Sequence, residues 1–386
     1  MQKRAKYTLV FLILLLAIVA YYAIGSMSQT APPAIIKNIT IGTSNLLVFP
    51  SVAINPNGKY AYATDDRLAT LSVISTSNNT AVKTINVGVQ EKTFPEGIAV
   101  SLNGSYVYVA DAGSNTISVI STVNNTIIGN ITIPDTSVNG NPFWVAVTPN
   151  DKYIYVSSGV LTVISLPNYT VIADMNVGRR GPDKITFSPD GKYAYATTCC
   201  SNSSGISVIA TSNNTVISNI NIIGGASDVA ITADGKYLYA VGGDTNAVYV
   251  ISTSNNSLAD KINFGAPLFG IALSPDGKYL YVADEKGVSV ISTSNNSIVY
   301  SINNVGSAVD VAVAPNGTRI YISSKYTYPS NFTPTVLVLS APMHIITWPP
   351  SPYVFLIAIL VILIISVYYI TSKKEAANLK HDAPRT

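Results

Sequence analysis

Histidine is nearly missing from this chain. The two present are His344 and His381, and both lie outside the repeating region described below. That region therefore has no imidazole base, no histidine metal cluster and no Ser/His/Asp set. Cysteine is as scarce: the adjacent pair Cys199 and Cys200 is all there is, too little for a disulfide framework. Charged residues make up only 11% of the chain. No basic patch occurs in its middle, so a nucleic-acid partner is not expected. A phosphate-cradling glycine loop is absent too, and no cofactor is expected. Between residues 31 and 350 no stretch has the apolar spacing of a helix.

What is abundant is repetition. The clearest unit runs Leu273-Ser-Pro-Asp-Gly-Lys-Tyr279-Leu-Tyr281-Val-Ala-Asp284, then Val288-Ser-Val-Ile-Ser-Thr-Ser-Asn-Asn-Ser297. Its second tyrosine recurs at Tyr62, Tyr108, Tyr155, Tyr195, Tyr239, Tyr281 and Tyr321. The interval of about 40–47 residues is that of a four-stranded propeller blade. Within a unit, strand A is a Val-Ala-Ile run, such as Val52 to Ile54. A Pro-Asp-Gly or Pro-Asn-Gly turn follows. Strand B is the alternating Lys-Tyr-x-Tyr segment, strand C is Val-Ser-Val-Ile-Ser, and a Ser-Asn-Asn-Thr turn leads to strand D. The seventh unit stops at Ser340 without a strand D. A stray one, Ala34 to Gly42, stands at the front and resembles Thr126 to Ile133. The expected fold is all-β: a seven-bladed β-propeller of four-stranded blades, with the N-terminal strand closing the last blade and sealing an open edge.

The ends read differently. Tyr7 to Ile24 and Tyr353 to Ile370 are almost unbroken apolar runs, each about the 20 residues that a bilayer-spanning helix needs. Lys3, Arg4 and Lys6 precede the first; Lys373, Lys374, Lys380 and Arg385 follow the second, against Glu375 and Asp382. The positive-inside rule then places both ends in the cytoplasm and the middle outside. The expected organisation is a basic end over 1–6, a transmembrane helix over 7–25, an extracellular propeller over 26–340, a proline-rich spacer over 341–352, a transmembrane helix over 353–371 and a cytoplasmic tail over 372–386. The first apolar run also fits a secretory signal peptide cut between Ala23 and Ser28. On this reading the propeller is displayed at the plasma membrane, with the lipid bilayer and a surface protein or glycan as partners.

Ser274-Pro-Asp-Gly-Lys-Tyr-Leu-Tyr-Val-Ala-Asp284 and Ser101-Leu-Asn-Gly-Ser-Tyr-Val-Tyr-Val-Ala-Asp111 give the chain a resemblance to the YVTN family of β-propeller repeat proteins of archaeal surface layers and bacterial secreted proteins. It covers roughly residues 34 to 340. In most blades Asp, Ser or Thr replaces the fourth-position Asn, one turn former for another. The resemblance implies a cell-surface location and an adhesive or scaffolding role, and it transfers no catalytic residue.

Three sets of residues carry functional expectations. Asn78, Asn124, Asn168, Asn213, Asn255 and Asn295 head Asn-x-Ser/Thr sequons at the same place in the C–D turns of six blades. Asn suits such a turn by itself, but the Ser or Thr that follows points to N-glycan acceptors. Cys199 and Cys200 form either a vicinal disulfide or a pair of thiols. Acidic residues gather where chain enters strand A (Glu96, Asp183, Asp228, Asp310) or leaves strand B (Asp65, Asp66, Asp111, Asp284), beside Phe143, Trp144 and Phe269. In a propeller both loop sets face the mouth of the central channel. Asp65, Asp111, Asp183, Asp228, Asp284 and Asp310 are accordingly candidate ligands for a cation such as Ca²⁺ or for a polar ligand, or else solvated turn residues. Three functions remain in play: a membrane-anchored surface binding or scaffold protein, a ligand- or metal-binding sensor, and a lactonase-like or quinone-dependent propeller enzyme. The first is expected, and with it no catalysis.

Overall fold

The computed structural model describes residues 28–42, 50–90, 92–134, 141–178, 182–198, 205–303, 305–325 and 334–346. Over Pro33–Ala341 these residues form seven four-stranded antiparallel sheets, each built in chain order A-B-C-D except the last. Blade 1 is Val52–Ile54, Tyr60–Asp65, Thr70–Ser75 and Thr80–Asn86, and blades 2 to 6 repeat it down to Asn303. Blade 7 takes Ala308–Val313, Arg319–Ser324 and Thr335–Ser340 from the end of the chain, and Ile35–Thr40 from its start. The stray N-terminal strand thus pairs antiparallel with Thr335–Ser340 and closes the ring.

Burial follows strand position. Strand B is flanked on both sides within its sheet and covered on both faces, so Tyr60–Asp65 is buried from Ala61 onward. Strand D is outermost: Thr80–Asn86 is exposed throughout except for Ile85. The apolar core is therefore divided into layers between consecutive blades. Tyr62, Val73 and Ile85 of blade 1, for example, pack on Ile98, Val107 and Ile120 of blade 2. The last layer joins Tyr321 and Val338 of blade 7 and Ile39 of the closing strand to Ala61 and Ile74 of blade 1. A blade cannot bury both of its faces alone, which is why the motif must be repeated around a ring.

A second unit, made of residues up to Pro32 and from Pro342 onward, contains one described feature: Ser28–Ala31 pairs antiparallel with Met343–Ile346. Part of the stretch expected as a spacer over 341–352 is therefore a strand.

The structure does not provide the two transmembrane helices expected from the sequence. Among the described residues no helix is long and apolar enough to cross a membrane, and their one helical element is the single turn Ala112–Ser114. The segments expected as helices, 7–25 and 353–371, lie outside the described residues. The plasma-membrane placement with cytoplasmic ends was built on those two helices and loses its basis with them.

Candidate functional site

Register places one residue of each blade at the same station, just before the first inward apolar residue of strand A. In blade order these are Ser51, Gly97, Trp144, Lys184, Asp228, Gly270 and Asp310. Strand A lies innermost in each sheet, so the seven make a ring about the axis. Lys184 crosses that ring. Its Nζ lies 3.0 Å from Asp228 Oδ2 and 3.0 Å from Asp310 Oδ1, and 4.2 Å from the centre of the Trp144 ring. The carboxylates are held from behind: Asp228 Oδ2 accepts from Ile271 N at 2.9 Å and Asp310 Oδ2 from Val52 N at 3.1 Å. Burial works against the Lys184 charge, but the two carboxylates outweigh it and raise its pKa. Four blades thus meet at one ammonium, and two more join through the amides behind the carboxylates.

The two ring glycines are required by close approach. A Cβ on Gly97 would lie 2.6 Å from the Trp144 Cα, and one on Gly270 2.9 Å from the Asp310 Cα. The neighbouring blade stands where the side chain would go.

One residue earlier in each blade, a second ring is formed by Pro50, Glu96, Phe143, Asp183, Ser227, Phe269 and Val309. Six of these, all but Pro50, line a cavity of about 420 Å³ together with Trp144, Lys184 and Asp310. Burial first, and the negative Asp66 second, push the Glu96 carboxyl up to about 7. The Ser227 hydroxyl is buried and has no hydrogen-bond partner among the described residues. At the rim the Lys325 ammonium lies 4.1 Å from the centre of the Phe269 ring.

The six candidate aspartates separate into two groups. Asp183, Asp228 and Asp310 come to the axis. Asp65, Asp111 and Asp284 are buried inside their own blades and tie the B–C hairpins. Asp65 Oδ1 accepts from Arg67 N and Leu68 N, Asp284 Oδ1 from Lys286 N and Gly287 N, and Asp111 Oδ2 from the Ser118 hydroxyl. Burial drives the Asp111 carboxyl up to about 7 against that hydrogen bond. Among the described residues, no group of three or more His, Cys, Asp or Glu is arranged to hold a metal ion. The Lys184 ammonium occupies the place between Asp228 and Asp310 that a cation would take. Lys184 was not singled out from the sequence. Its signal was available: it is the one lysine at that station among seven blades.

The C–D turns have a chemistry of their own. All six sequon asparagines are exposed. In each turn the Ser or Thr two residues on donates to the Asn Oδ1. The distance is 2.9 Å from Thr80 to Asn78 and 2.8 Å from Ser297 to Asn295. The residue between them is left-handed, as at Asn79, Asn125, Tyr169, Asn214, Asn256 and Asn296. Where it is Asn, it can also accept from the preceding blade: Tyr321 OH donates to Asn79 at 2.7 Å, Tyr239 OH to Asn296 at 3.1 Å, and Tyr155 OH to Asn214. The turn therefore has a structural use for both asparagines and for the Ser or Thr. Cys199 and Cys200 lie outside the described residues.

Seven four-stranded blades around an axial cavity define the class: a seven-bladed β-propeller. Residues 190–303, from the A–B turn of blade 4 to the end of blade 6, match a family described as Domain of unknown function (DUF5074). No curated protein matches the chain. Among solved structures, Kuenenia stuttgartiensis hydrazine synthase is similar at 22% identity and a TM-score of 0.64, covering 75% of this chain and 95% of that one. The Myceliophteria thermophila Cps50 (Swd1) β-propeller domain is similar at 11% identity and a TM-score of 0.64, covering 80% and 100%. At such identities the likeness shows the fold alone.

Proposed function

We propose that this propeller is a binding and scaffolding module that receives its ligand at the axial mouth, without catalysis. The observation that carries this reading is the pair of stacked rings. The inner one is locked by the Lys184–Asp228–Asp310 cluster, and the outer one surrounds a cavity of about 420 Å³ with aromatic and polar side chains. Concave sites walled by aromatics with a few convergent polar groups are the usual form of a small-molecule site. Its most polar cluster is occupied with itself, which suits a rigid floor better than a reacting group. The finer kinship with YVTN repeat proteins and their scaffolding role rests on the blade motif.

A propeller enzyme is the second reading. In its favour, the Glu96 carboxyl sits at about 7 inside the cavity, a suitable value for a general acid or base. Neither structural neighbour adds to it, hydrazine synthase being similar in fold only.

Ligand-observed NMR on the full chain tests the proposal, using a mixture of amine, polyol, carboxylate and aromatic fragments. Binding that is lost in Trp144→Ala, with the fold retained by circular dichroism, supports the axial site. No response from any fragment class overturns it. Turnover of a lactone or alcohol that disappears in Glu96→Gln would favour the enzyme instead.

A further inference from the structure

We propose that the six C–D turn asparagines, Asn78, Asn124, Asn168, Asn213, Asn255 and Asn295, are acceptors of N-linked saccharides, set around the face opposite the axial mouth.

Turn chemistry accounts for only part of each motif. The amide oxygen accepts from the Ser or Thr two residues on, and a carboxylate oxygen would serve as well. The A–B turns of the same chain show that exchange. Their acceptor station holds Asn57, Asn103, Asn150 and Asn316 in four blades and Asp190, Asp234 and Asp276 in the other three. With either residue type the side-chain oxygen accepts from the backbone amide two positions on, at 2.9 Å from Lys59 and 3.1 Å from Lys192. The C–D station holds Asn in all six blades that have the turn, and Asp in none. What Asn has and Asp lacks is the amide nitrogen.

Elsewhere the fold uses asparagine nitrogens openly. Asn55 Nδ2 donates to Gly104 O at 2.9 Å and Asn115 Nδ2 to Ile133 O at 3.0 Å. Among the described residues the C–D turn bonds fall on Oδ1 instead, and all six asparagines are exposed. Blade 3 separates the two roles further. Its turn reads Leu166-Pro167-Asn168-Tyr169-Thr170 where blade 1 has Thr76-Ser77-Asn78-Asn79-Thr80. Everything changes between them except the asparagine and the hydroxyl two residues on, the pair that N-linked transfer requires.

In that transfer Nδ2 forms a bond to the anomeric carbon of a sugar carried on a diphosphate. The bond from that carbon to the diphosphate oxygen breaks, the diphosphate leaves with the electron pair, and the amide gives up one proton. The propeller supplies the acceptor alone. Five of the six sites stand four residues before an exposed apolar side chain of an outer strand: Val82, Ile128, Ile172, Ile217 and Val299, each 40–54% exposed. A bulky, hydrated saccharide there would cover strand edges that otherwise invite pairing with another chain.

Mass spectrometry of proteolytic peptides from the full chain, isolated from its native cells, tests the assignment. Saccharide mass is expected on C–D turn peptides. Asn124→Asp should remove it from its own peptide and leave the melting temperature unchanged, because the carboxylate keeps the bond from Thr126. All six C–D peptides at their bare sequence masses would overturn the proposal, as would saccharide confined to other sequons such as Asn103 or Asn316. Bare peptides together with a lower melting temperature in Asn124→Asp would assign the amide nitrogen to the turn instead.

Discussion

At the scale of single residues, two contacts decide how blades hold one another. The first is the tyrosine two residues into strand B, which ends a Tyr-x-Tyr pair in six blades and the segment Arg319-Ile-Tyr321 in blade 7. In blade 7 the Tyr321 hydroxyl donates to Asn79 of blade 1, both being buried, whereas blade 3 has Tyr169 in place of that asparagine and gives Tyr108 no such acceptor. Tyr321→Phe should therefore cost about 1–2 kcal/mol in urea unfolding, the loss expected for a buried hydrogen bond, and Tyr108→Phe clearly less. The second contact is Lys184. Lys184→Met leaves Asp228 and Asp310 buried and facing each other, and a loss of about 3–5 kcal/mol is expected. Adding Asp228→Asn and Asp310→Asn should recover much of it. A double-mutant cycle would show whether the three act as one unit.

At the scale of elements, the closing strand and the other outer strands look alike in sequence but differ in duty. Each C–D ladder contains a register irregularity at the same place, for instance at Val73/Ile74, Val208/Ile209 and, in the closing pair, Ile35/Lys37. Bulges of this kind bend an edge strand away from further pairing, which suits seven outer strands with apolar pairs such as Ile127–Ile128 and Val216–Ile217 facing outward. Ile39 of the closing strand points the other way, as Ile85, Ile131 and Ile220 do in other outer strands, but it lies, 6% exposed, in the layer between blades 7 and 1. Ile39→Ala should cost about 2–4 kcal/mol, while Ile217→Ala, at 54% exposure, should change stability by less than about 0.5 kcal/mol. Similar losses at both sites, measured by thermal unfolding, would mean that Ile39 is not packed in the layer between blades 7 and 1.

For the whole molecule the pH response near neutrality is led by two carboxyls, Glu96 and Asp111, both raised to about 7, chiefly by burial. Each holds its proton more tightly in the fold than in the unfolded chain. Between the ordinary carboxylate range and about 7 the unfolded chain binds fewer protons, so stability falls as pH rises through that window. The melting temperature should be higher near pH 5 than near pH 8, and Asp111→Asn should flatten the difference. A melting temperature that climbs over the same interval would show both groups ionised in the fold. Asp65 and Asp228, whose carboxyls burial also raises, act in the same direction, while Lys184, held charged by its carboxylates, does not titrate in this window.

What the sequence determined alone is whatever each blade repeats. Alternating Tyr-x-Tyr strands, Pro-Asp-Gly turns and the displaced strand before Gly42 specify seven blades and their closure, since each is local chemistry written many times. The rim was legible in part, because entry to strand A fixes a face. Three things were not. Asp65, Asp111 and Asp284 share that face in sequence logic yet turn inward to their own hairpins, a choice made by backbone amides and a hydroxyl a few residues on. The Ser or Thr after each turn asparagine has a bonding role that spacing does not reveal. Lys184 finds Asp310 across 126 positions, and no local pattern announces a contact between blades 4 and 7. Only closing the ring brings those strands to a common axis, where burial makes an unpaired charge costly and so decides which residues must meet.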